Sequence, residues 1–419
     1  MQEILRFMKI PGNSLYFLWH ITALLYCFFI SLPDTLGQDE RPGGSSLIYI
    51  NTSFPNASPL YWEDLGKDTF LLNLVYEHER NSPNRANGHW FFRVEAQPNA
   101  KLCLILNNFD NFWNGRRSFP ISPRTPTYLS EDGLHWEAVP AELTADNQLR
   151  FSLSFKDHPI YVASVEPYRI SQLEKLLQDI AGHPLVRIDT IGATVEGRPL
   201  EIVTLGEPSA PRSVFIRARA HGFEAGGNWV VEGLIRAFLR PEAAPFLEKY
   251  RLYILPMANK DAVARGRTRF NSAGVDLNRG WGAPADPAVA PENAALETWL
   301  AQRIRAGKQP DLAIDLHNDR GGKLHLSHPG EDHPDYLPEM KRLEEMLRKH
   351  TWFTEGTQGG SGFHNPGTFG EGLLLRYGIH ALVYELNKER IAKFDRPPYG
   401  ADWELLGQQL LTVFYHYFE

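Results

Sequence analysis

One stretch organises the rest of this chain, and it reads Arg217-Ala-Arg-Ala-His-Gly-Phe-Glu224. The apolar run before it, Ser213-Val-Phe-Ile216, predicts a buried strand, and apolar residues at helical spacing predict a helix over Gly226 to Leu239. The turn between them carries an imidazole and a carboxylate, His221 and Glu224. Because both follow the carboxyl end of a strand, they can reach a single cation, although catalytic zinc needs a third protein ligand and an open position for water.

The His-x-x-Glu spacing alone is weak evidence for a metal site. It is also typical of an exposed turn or helix with solvated side chains, and the chain contains a second pair, His328-Pro-Gly-Glu331. Motifs elsewhere in the chain are therefore needed to distinguish a metal site from a solvated turn.

The composition is that of a globular protein with room for two domains. The chain has 419 residues, of which 43% are hydrophobic and 22% charged. The net charge of -7 argues against nucleic acid as a partner, because nucleic-acid-binding domains carry a basic surface.

The N-terminus has the order of a secretory signal. Arg6 and Lys9 precede an apolar run from Leu15 to Ile30, and a polar segment ends at Gly37. The run is short for a membrane span, which needs about 20 residues. We expect residues 1–37 to be a signal peptide and the protein to be secreted or periplasmic, with no membrane span after removal of the signal. An uncleaved N-terminal anchor is the alternative.

The two cysteines agree with export into a periplasm. Cleavage of the signal would remove Cys27, so that Cys103 would have no intrachain partner.

The apolar patterns predict two folded domains. Short apolar or alternating runs with turn residues between them predict a small antiparallel β-sandwich over residues 67–165, after a leader over residues 38–66. From Pro167 onward strands and helices alternate, which predicts an α/β domain over residues 166–419. Its mostly parallel mixed sheet would be flanked by helices and would carry ligands at the carboxyl ends of its strands.

Two further polar clusters follow predicted strands of the second domain. An apolar strand ends in His317, which is a natural third zinc ligand, although taken alone such a histidine is more typical of a core or strand-end residue bonded to backbone. The loop from Arg265 to Arg279 contains Arg269, Asn278 and Arg279. Adjacent Asn and Arg suit a carboxylate, and another Arg can stabilise an oxyanion, whereas a solvated loop is the alternative.

A third cluster is Tyr384-Glu385, where an acid ends the apolar run Ile379 to Val383. A carboxylate at the end of a buried strand is unfavourable unless it is paired. It becomes useful as a general base if it faces activated water.

The order of these clusters resembles that of the zinc carboxypeptidases of the carboxypeptidase A type. The shared elements, in chain order, are Ile191 to Leu200, His221-x-x-Glu224, the Asn259 loop, Arg269, Asn278-Arg279, Leu316-His317 and Tyr384-Glu385. The first domain resembles the β-sandwich that precedes the catalytic domain in the cytosolic carboxypeptidase branch, on the basis of Trp90 to Val94, Asn107 to Phe109 and Pro167-Tyr168.

The resemblance implies a metal centre with one zinc ion held by His221, Glu224 and His317. It also implies that Asp276 orients a ligand histidine, as metal-bound imidazoles usually require. Arg269 would polarise the scissile carbonyl and stabilise the oxyanion.

The resemblance also implies how a substrate would bind and react. Asn278 and Arg279 would bind the terminal carboxylate of a peptide with a free C-terminus. Glu385 would take a proton from the attacking water and return it to the leaving amine.

The second pair, His328 and Glu331, lies in a His-Pro-Gly-Glu sequence that resembles the first ligand motif of the cytosolic branch. It falls after His317 in the chain, however. No Gly-Val-Asp-Leu-Asn-Arg element follows it, so the order of elements favours His221 and Glu224.

The substrate-capping tyrosine of many family members has no counterpart at the expected spacing. Tyr377 lies eight residues before Glu385, which is a poor match. Phe363, Glu371 and Arg376 are candidates for a side-chain pocket without an assigned role.

The predicted function is that of a zinc metallocarboxypeptidase. The alternatives are a murein-peptide amidase or a related zinc amidohydrolase on the same scaffold, and a catalytically silent binding module.

Overall fold

The computed structural model describes residues 44–77, 84–113, 115–356 and 367–419. The predicted signal peptide over residues 1–37 lies outside the described residues. Within the described residues, no helix combines the length and the apolar character needed to cross a membrane.

The first half of the described chain consists of strands. They are β1 (Leu47–Asn51), β2 (Leu60–Gly66), β3 (Thr69–Leu74), β4 (Phe91–Ala96), β5 (Lys101–Asn107), β6 (Asn111–Trp113), β7 (Arg116–Ser118), β8 (Pro126–Ser130), β9 (Glu137–Pro140), β10 (Glu142–Leu143), β11 (Leu149–Ser154) and β12 (Ile160–Ala163).

Ten of these strands form the predicted sandwich, and β6 and β7 pair with each other in a separate two-stranded sheet. One five-stranded sheet has the order β1-β4-β12-β8-β9, and the other has the order β10-β11-β5-β3-β2. β11 shows why they pack: Leu149, Phe151 and Leu153 are buried while the residues between them are exposed. This alternation supplies one apolar face to the core.

The sandwich differs from the prediction in one pairing, because β3 and β5 run parallel. The chain passes from β3 to β4 in the opposite sheet and returns to β5, so the two neighbours need not be antiparallel.

β1 and β2 lie within residues 38–66, which the sequence predicted as a leader. β1 pairs with β4, and β2 pairs with β3. Both are edge strands, and most of their side chains are not buried, so they lack the apolar alternation of an inner strand. The segment therefore adds an edge strand to each sheet, while the domain limits themselves stay a prediction.

The second half of the described chain alternates strands and helices. The strands are β13 (Val186–Ala193), β14 (Pro199–Leu205), β15 (Arg212–Ala218), β16 (Tyr250–Leu255), β17 (Leu312–Asp319), β18 (Lys323–His325) and β19 (His380–Asn387). The helices are α1 (Ile170–Ile180), α2 (Gly226–Phe238), α3 (Ala244–Leu247), α4 (Lys260–Ala264), α5 (Pro291–Arg305), α6 (Tyr336–His350), α7 (Phe369–Tyr377) and α8 (Gly400–Tyr417), with 3₁₀ turns at Pro241–Ala243 and Gly330–Asp332.

Seven strands form the predicted mixed sheet, in the order β13-β14-β16-β15-β17-β19-β18. The inner strands β16, β15, β17 and β19 are parallel, and the outer pairings are antiparallel. Helices cover both faces: in β15, Val214 and Ile216 belong to the apolar cluster on one face, and Phe215 belongs to the cluster on the other. This double burial explains the continuous apolar run that predicted the strand.

The sheet brings the carboxyl ends of β15, β17 and β19 to one edge. These three strands are consecutive and parallel in the sheet. Side chains that follow β15 and lie at the ends of β17 and β19 therefore meet at this edge.

Candidate metal centre

Three buried side chains converge at this edge of the sheet. His221 and Glu224 lie in the turn between β15 and α2, and His317 lies near the end of β17. One nitrogen or oxygen atom from each of the three lies within 4.8 Å of the other two. Glu224 contacts both imidazoles, with Oε1 at 3.0 Å from His221 Nδ1 and Oε2 at 2.8 Å from His317 Nδ1. The structure thus brings together the three residues that were predicted as metal ligands.

Both histidines turn the same ring nitrogen towards the centre. The two Nδ1 atoms lie 3.2 Å apart, and each Nε2 contacts a carboxylate on the outer side. Nε2 of His221 is 3.0 Å from Asp276 Oδ1. Nε2 of His317 is 2.7 Å from Asp315 Oδ2. A carboxylate on the outer ring nitrogen aims the other nitrogen inward, which is how proteins hold metal-binding imidazoles.

Each orienting carboxylate is held in turn by an arginine. Arg269 donates to Asp276 from Nε at 2.9 Å and from Nη2 at 2.6 Å. Arg217 donates to Asp315 from Nε at 2.7 Å and from Nη2 at 2.5 Å. The centre therefore has two parallel chains of arginine, aspartate and histidine.

These pairings keep the acids ionised despite their burial. Burial raises the pKa of Asp315, but the Arg217 guanidinium and His317 outweigh it and hold that pKa below its usual value. Burial likewise raises the pKa of Asp276, but Arg269 and His221 hold it well below its ordinary value. For Glu224, His221 and His317 outweigh burial and lower the pKa to about 2. The centre thus offers an ionised carboxylate and two imidazoles, which is a donor set of catalytic zinc sites.

Glu385 stands beside the centre with an unsatisfied oxygen. It is the register partner of His317 on the adjacent strand β19. Its Oε2 is buried without a hydrogen-bond partner among the described residues. Burial raises the pKa of Glu385 to about 8; His317 opposes this rise, whereas Glu224 adds to it. An unpaired carboxylate oxygen is costly unless something else occupies its lone pairs.

Arg269, Asn278 and Arg279 line the same cleft as His221 and Glu224. Asn278 accepts a hydrogen bond on Oδ1 from the backbone N–H of Phe369 at 2.9 Å. Arg279 donates to the carbonyl oxygen of Asn278 at 2.7 Å. Burial lowers the pKa of Arg279, and the nearby positive charge of Arg269 lowers it further. Two guanidinium groups in one partly desolvated cleft favour an anion between or beside them.

The rival pair takes no part in this centre. His328 and Glu331 are both exposed, and Glu331 lies in a 3₁₀ turn.

The candidate pocket residues have other partners. Nη1 of Arg376 donates to the backbone oxygens of Trp281 and Ala283, so Arg376 does not line the cleft. Glu371 accepts from the backbone N–H of Gly367, and Tyr377 packs against an apolar cluster. Phe363 lies outside the described residues.

Three residues that contact the site were not identified from the sequence. Arg217 and Asp315 were read only as parts of strands, although Asp315 and His317 are two positions apart on β17 and so share one face of the sheet. This alternation along the strand could have indicated that Asp315 lies beside His317. His325 on β18 lies in the cleft with Nε2 at 3.9 Å from Glu385 Oε1, and its spacing carried no signal.

Fold and donor set together define an α/β protein with a buried group of two histidines and a glutamate that could hold a metal ion. Residues 173–319 match the family model of the zinc carboxypeptidases. Over these residues the chain matches a zinc carboxypeptidase domain, in agreement with the recognition made from its motifs.

Relatives agree with this assignment. Cytosolic carboxypeptidase 6 of Caenorhabditis elegans is 26% identical over 308 residues, which cover 69% of this chain and 64% of that protein. The chain spans less than two thirds of the length of the curated relatives that it matches.

Solved structures share the fold over nearly the whole chain. A metallo-carboxypeptidase from Burkholderia cenocepacia superposes with a TM-score of 0.74 at 20% identity, covering 88% of this chain and 98% of its own. A metallo-carboxypeptidase from Pseudomonas aeruginosa, solved in complex with (2-guanidinoethylmercapto)succinic acid, gives a TM-score of 0.74 at 23% identity, with coverages of 89% and 100%. At these identities the likeness shows the fold.

Proposed function

We propose that the protein is a zinc metallocarboxypeptidase that hydrolyses C-terminal residues from peptides. One observation carries the proposal: two imidazoles and a carboxylate converge beside a second carboxylate, that of Glu385, whose Oε2 has no partner among the described residues. A purely structural metal site is closed by its own ligands and needs no such neighbour.

The donor set fits zinc. His221 and His317 would bind through Nδ1 and Glu224 through its carboxylate, while Asp276 and Asp315 hold the outer nitrogens. A zinc ion bound there supplies Lewis acidity, which polarises a carbonyl and makes water a better nucleophile.

Glu385 is the proposed general base. Its position beside His317 on the neighbouring strand lets the free Oε2 accept a proton from the attacking water. The same carboxyl group then returns the proton to the leaving amine. A carboxyl group suits both halves of this task, because it can accept a proton in one step and release it in the next.

Arg279 and Arg269 are proposed to bind different negatively charged groups of the substrate. Arg279, with Asn278, is the proposed site for the terminal carboxylate, since guanidinium and amide donors match its two oxygens. Arg269 is the proposed donor to the carbonyl oxygen as it becomes negative. Its guanidinium is already oriented by Asp276, so little reorganisation is needed at that moment.

Incubation of the purified protein with a peptide pool, followed by mass spectrometry, tests this function. The pool contains each peptide with a free and with an amidated C-terminus. We expect loss of single residues from the free forms, little from the amidated forms, no reaction with a chelator, and recovery when zinc is added. Equal cleavage of both forms would contradict the proposed carboxylate site.

The variant Glu385→Gln tests the base separately. It should keep about one zinc per chain, because Glu385 is not among the three ligands. Its turnover should fall by at least about 10²-fold. Muropeptides in the same assay test the amidase alternative, and peptide binding without any product would indicate a silent binding module.

We also propose that residues 1–37 direct export to a periplasm and are then removed. The charged, apolar and polar order of that segment supports the proposal. The intact mass of the protein recovered from the periplasm tests it: retention of the whole segment would favour the anchor instead.

A further inference from the structure

One buried acid of the β-sandwich forms hydrogen bonds with the segment that carries Arg269. Glu77 follows β3 and is only 8% exposed. Its Oε1 accepts a hydrogen bond from the backbone N–H of Arg269 at 2.7 Å, and its Oε2 accepts one from the backbone N–H of Phe270 at 2.7 Å. A single carboxylate thus takes two consecutive amides of the segment that carries the oxyanion arginine.

The burial of Glu77 is unfavourable by itself, which makes its two contacts informative. Burial raises the pKa of Glu77 to about 7, and the backbone N–H groups of Phe270 and Arg269 oppose that rise. A buried acid persists where its oxygens are used, and both oxygens are used here on the same short segment.

Two neighbouring contacts bring the sandwich onto the same segment. The backbone N–H of Gly88 donates to Thr268 Oγ1 at 3.2 Å. At Gly266, a Cβ atom would lie 1.8 Å from the carbonyl oxygen of Ala57, so the two backbones touch there. Residues 266–270 are therefore held against the sandwich at several successive positions.

The segment is joined to the metal ligands by a short chain of contacts. The Arg269 guanidinium binds Asp276 Oδ2, and Asp276 Oδ1 contacts His221 Nε2. A shift of the Arg269 backbone would move the guanidinium relative to both the cleft and the ligand histidine.

We propose that Glu77 is a positioning residue of the catalytic site: by binding the two amides it fixes the backbone of Arg269, so that the guanidinium is aimed at the developing oxyanion. The sandwich then serves catalysis directly. This inference rests on the proposed function for its kinetic part only, because the placement of the segment can be measured without turnover.

A double-mutant cycle tests the kinetic part on the full chain. In Glu77→Gln one of the two backbone donors faces an amide group instead of a carboxylate oxygen. A small misplacement of a catalytic group costs up to about 10²-fold. We expect kcat to fall by about 10- to 100-fold with KM changed by less than about twofold. In an Arg269→Ala background the same substitution should change kcat by less than about twofold, because there is no guanidinium left to position.

Leu104→Ala is the matched control for lost stability, since Leu104 is fully buried in the core of the same sandwich. Its melting temperature should fall at least as far as that of Glu77→Gln, with kcat retained. An equal loss of kcat in both variants, or an undiminished effect of Glu77→Gln in the Arg269→Ala background, would overturn the proposal.

Hydrogen exchange followed by mass spectrometry gives the readout that does not need activity. The peptide covering residues 267–271 should be protected in the parent chain, unprotected in Glu77→Gln and protected in Leu104→Ala. Unchanged protection in Glu77→Gln would refute the positioning role, whatever the enzyme assay shows. Loss of protection in Glu77→Gln, together with a parent chain that cleaves no peptide, would refute the proposed function and leave the contact itself established.

Discussion

His317 and Glu385 are register partners on the adjacent parallel strands β17 and β19. Partners in a ladder lie about 4.8 Å apart along the hydrogen-bonding direction and project from the same face of the sheet. The backbone of the sheet therefore sets the distance between a proposed metal ligand and the proposed base. The other two proposed ligands lie in the turn between β15 and α2, so the sheet and the turn each supply part of the site.

The first prediction concerns the choice between the two His-x-x-Glu pairs. His317→Gln should lose at least about tenfold in zinc affinity, because it removes one of three converging donors. His328→Gln is the control, since His328 is exposed, and it should bind zinc like the parent chain. Zinc content after dialysis against a chelator series measures both. Zinc loss in His328→Gln with retention in His317→Gln would reverse the assignment.

A second prediction concerns the carboxylates behind the ligands. Asp315→Asn should weaken zinc binding by about 10- to 100-fold, because an amide no longer fixes the tautomer of His317. Asp311→Asn is a matched control just before the same strand, where the acid accepts from Arg212 and from the backbone of Ser213. Competition with a coloured chelator gives both affinities. Equal affinities in the two variants would mean that Asp315 has no role in holding the ligand.

Much of the second domain was predictable because its signals are local. The continuous apolar runs predicted β15, β17 and β19, and in each case a polar residue marked the point where the strand reaches the cleft. Parallel strands place those points at one edge, which agrees with the family resemblance that implied His221 and His317 as ligands of one metal ion.

The missed features depend on contacts between distant segments. Glu77 binds backbone amides that lie 192 and 193 positions further along the chain, and no pattern in either segment indicates the other. β1 and β2 were missed for a different reason: edge strands show few buried side chains, so their pattern resembles that of a loop.

A third prediction concerns recognition of the substrate carboxylate. Arg279→Gln should lower kcat/KM for peptides with a free C-terminus by about 10- to 100-fold, since a charge-assisted hydrogen bond is lost. The loss should appear mainly in KM if Arg279 binds the substrate and its transition state equally. Arg376→Gln is the control, because that arginine donates to Glu297 and to backbone outside the cleft. A larger loss in the control would place the carboxylate site elsewhere.

A fourth prediction uses two glycines with the same backbone conformation. Gly266 and Gly307 have φ values of 60° and 65°, but a Cβ would meet the Ala57 oxygen only at Gly266, whereas nothing lies within 4 Å at Gly307. Gly307→Ala should therefore cost about 1–2 kcal/mol, the price of a left-handed residue. Gly266→Ala should cost at least about 2 kcal/mol more, because the sandwich must move away from the loop. Chemical denaturation of both variants measures the difference, and equal losses would show that the contact is not tight.

The fifth prediction concerns the pH dependence of stability and rests on His89, which is buried in the sandwich. Its Nε2 contacts the Asn56 carbonyl oxygen at 3.0 Å, and its Nδ1 has no hydrogen-bond partner among the described residues. Burial, with the positive charges of Arg219 and Lys388, lowers the pKa of His89 from 6.5 to about 4, and the hydrogen bond to Asn56 opposes this shift. Above pH 6.5 the imidazole is neutral in the folded and the unfolded chain, so the stability linked to it is fully present. As the pH falls from 6.5 towards 4, the unfolded chain binds a proton before the folded chain does, and the free energy of unfolding falls by up to about 3 kcal/mol.

His89→Gln keeps a donor for Asn56 without a group that titrates, so its unfolding free energy should fall less over this range. Urea denaturation across the range gives both curves, with the exposed His158→Gln as control, and parallel curves for the parent and His89→Gln would contradict the assignment.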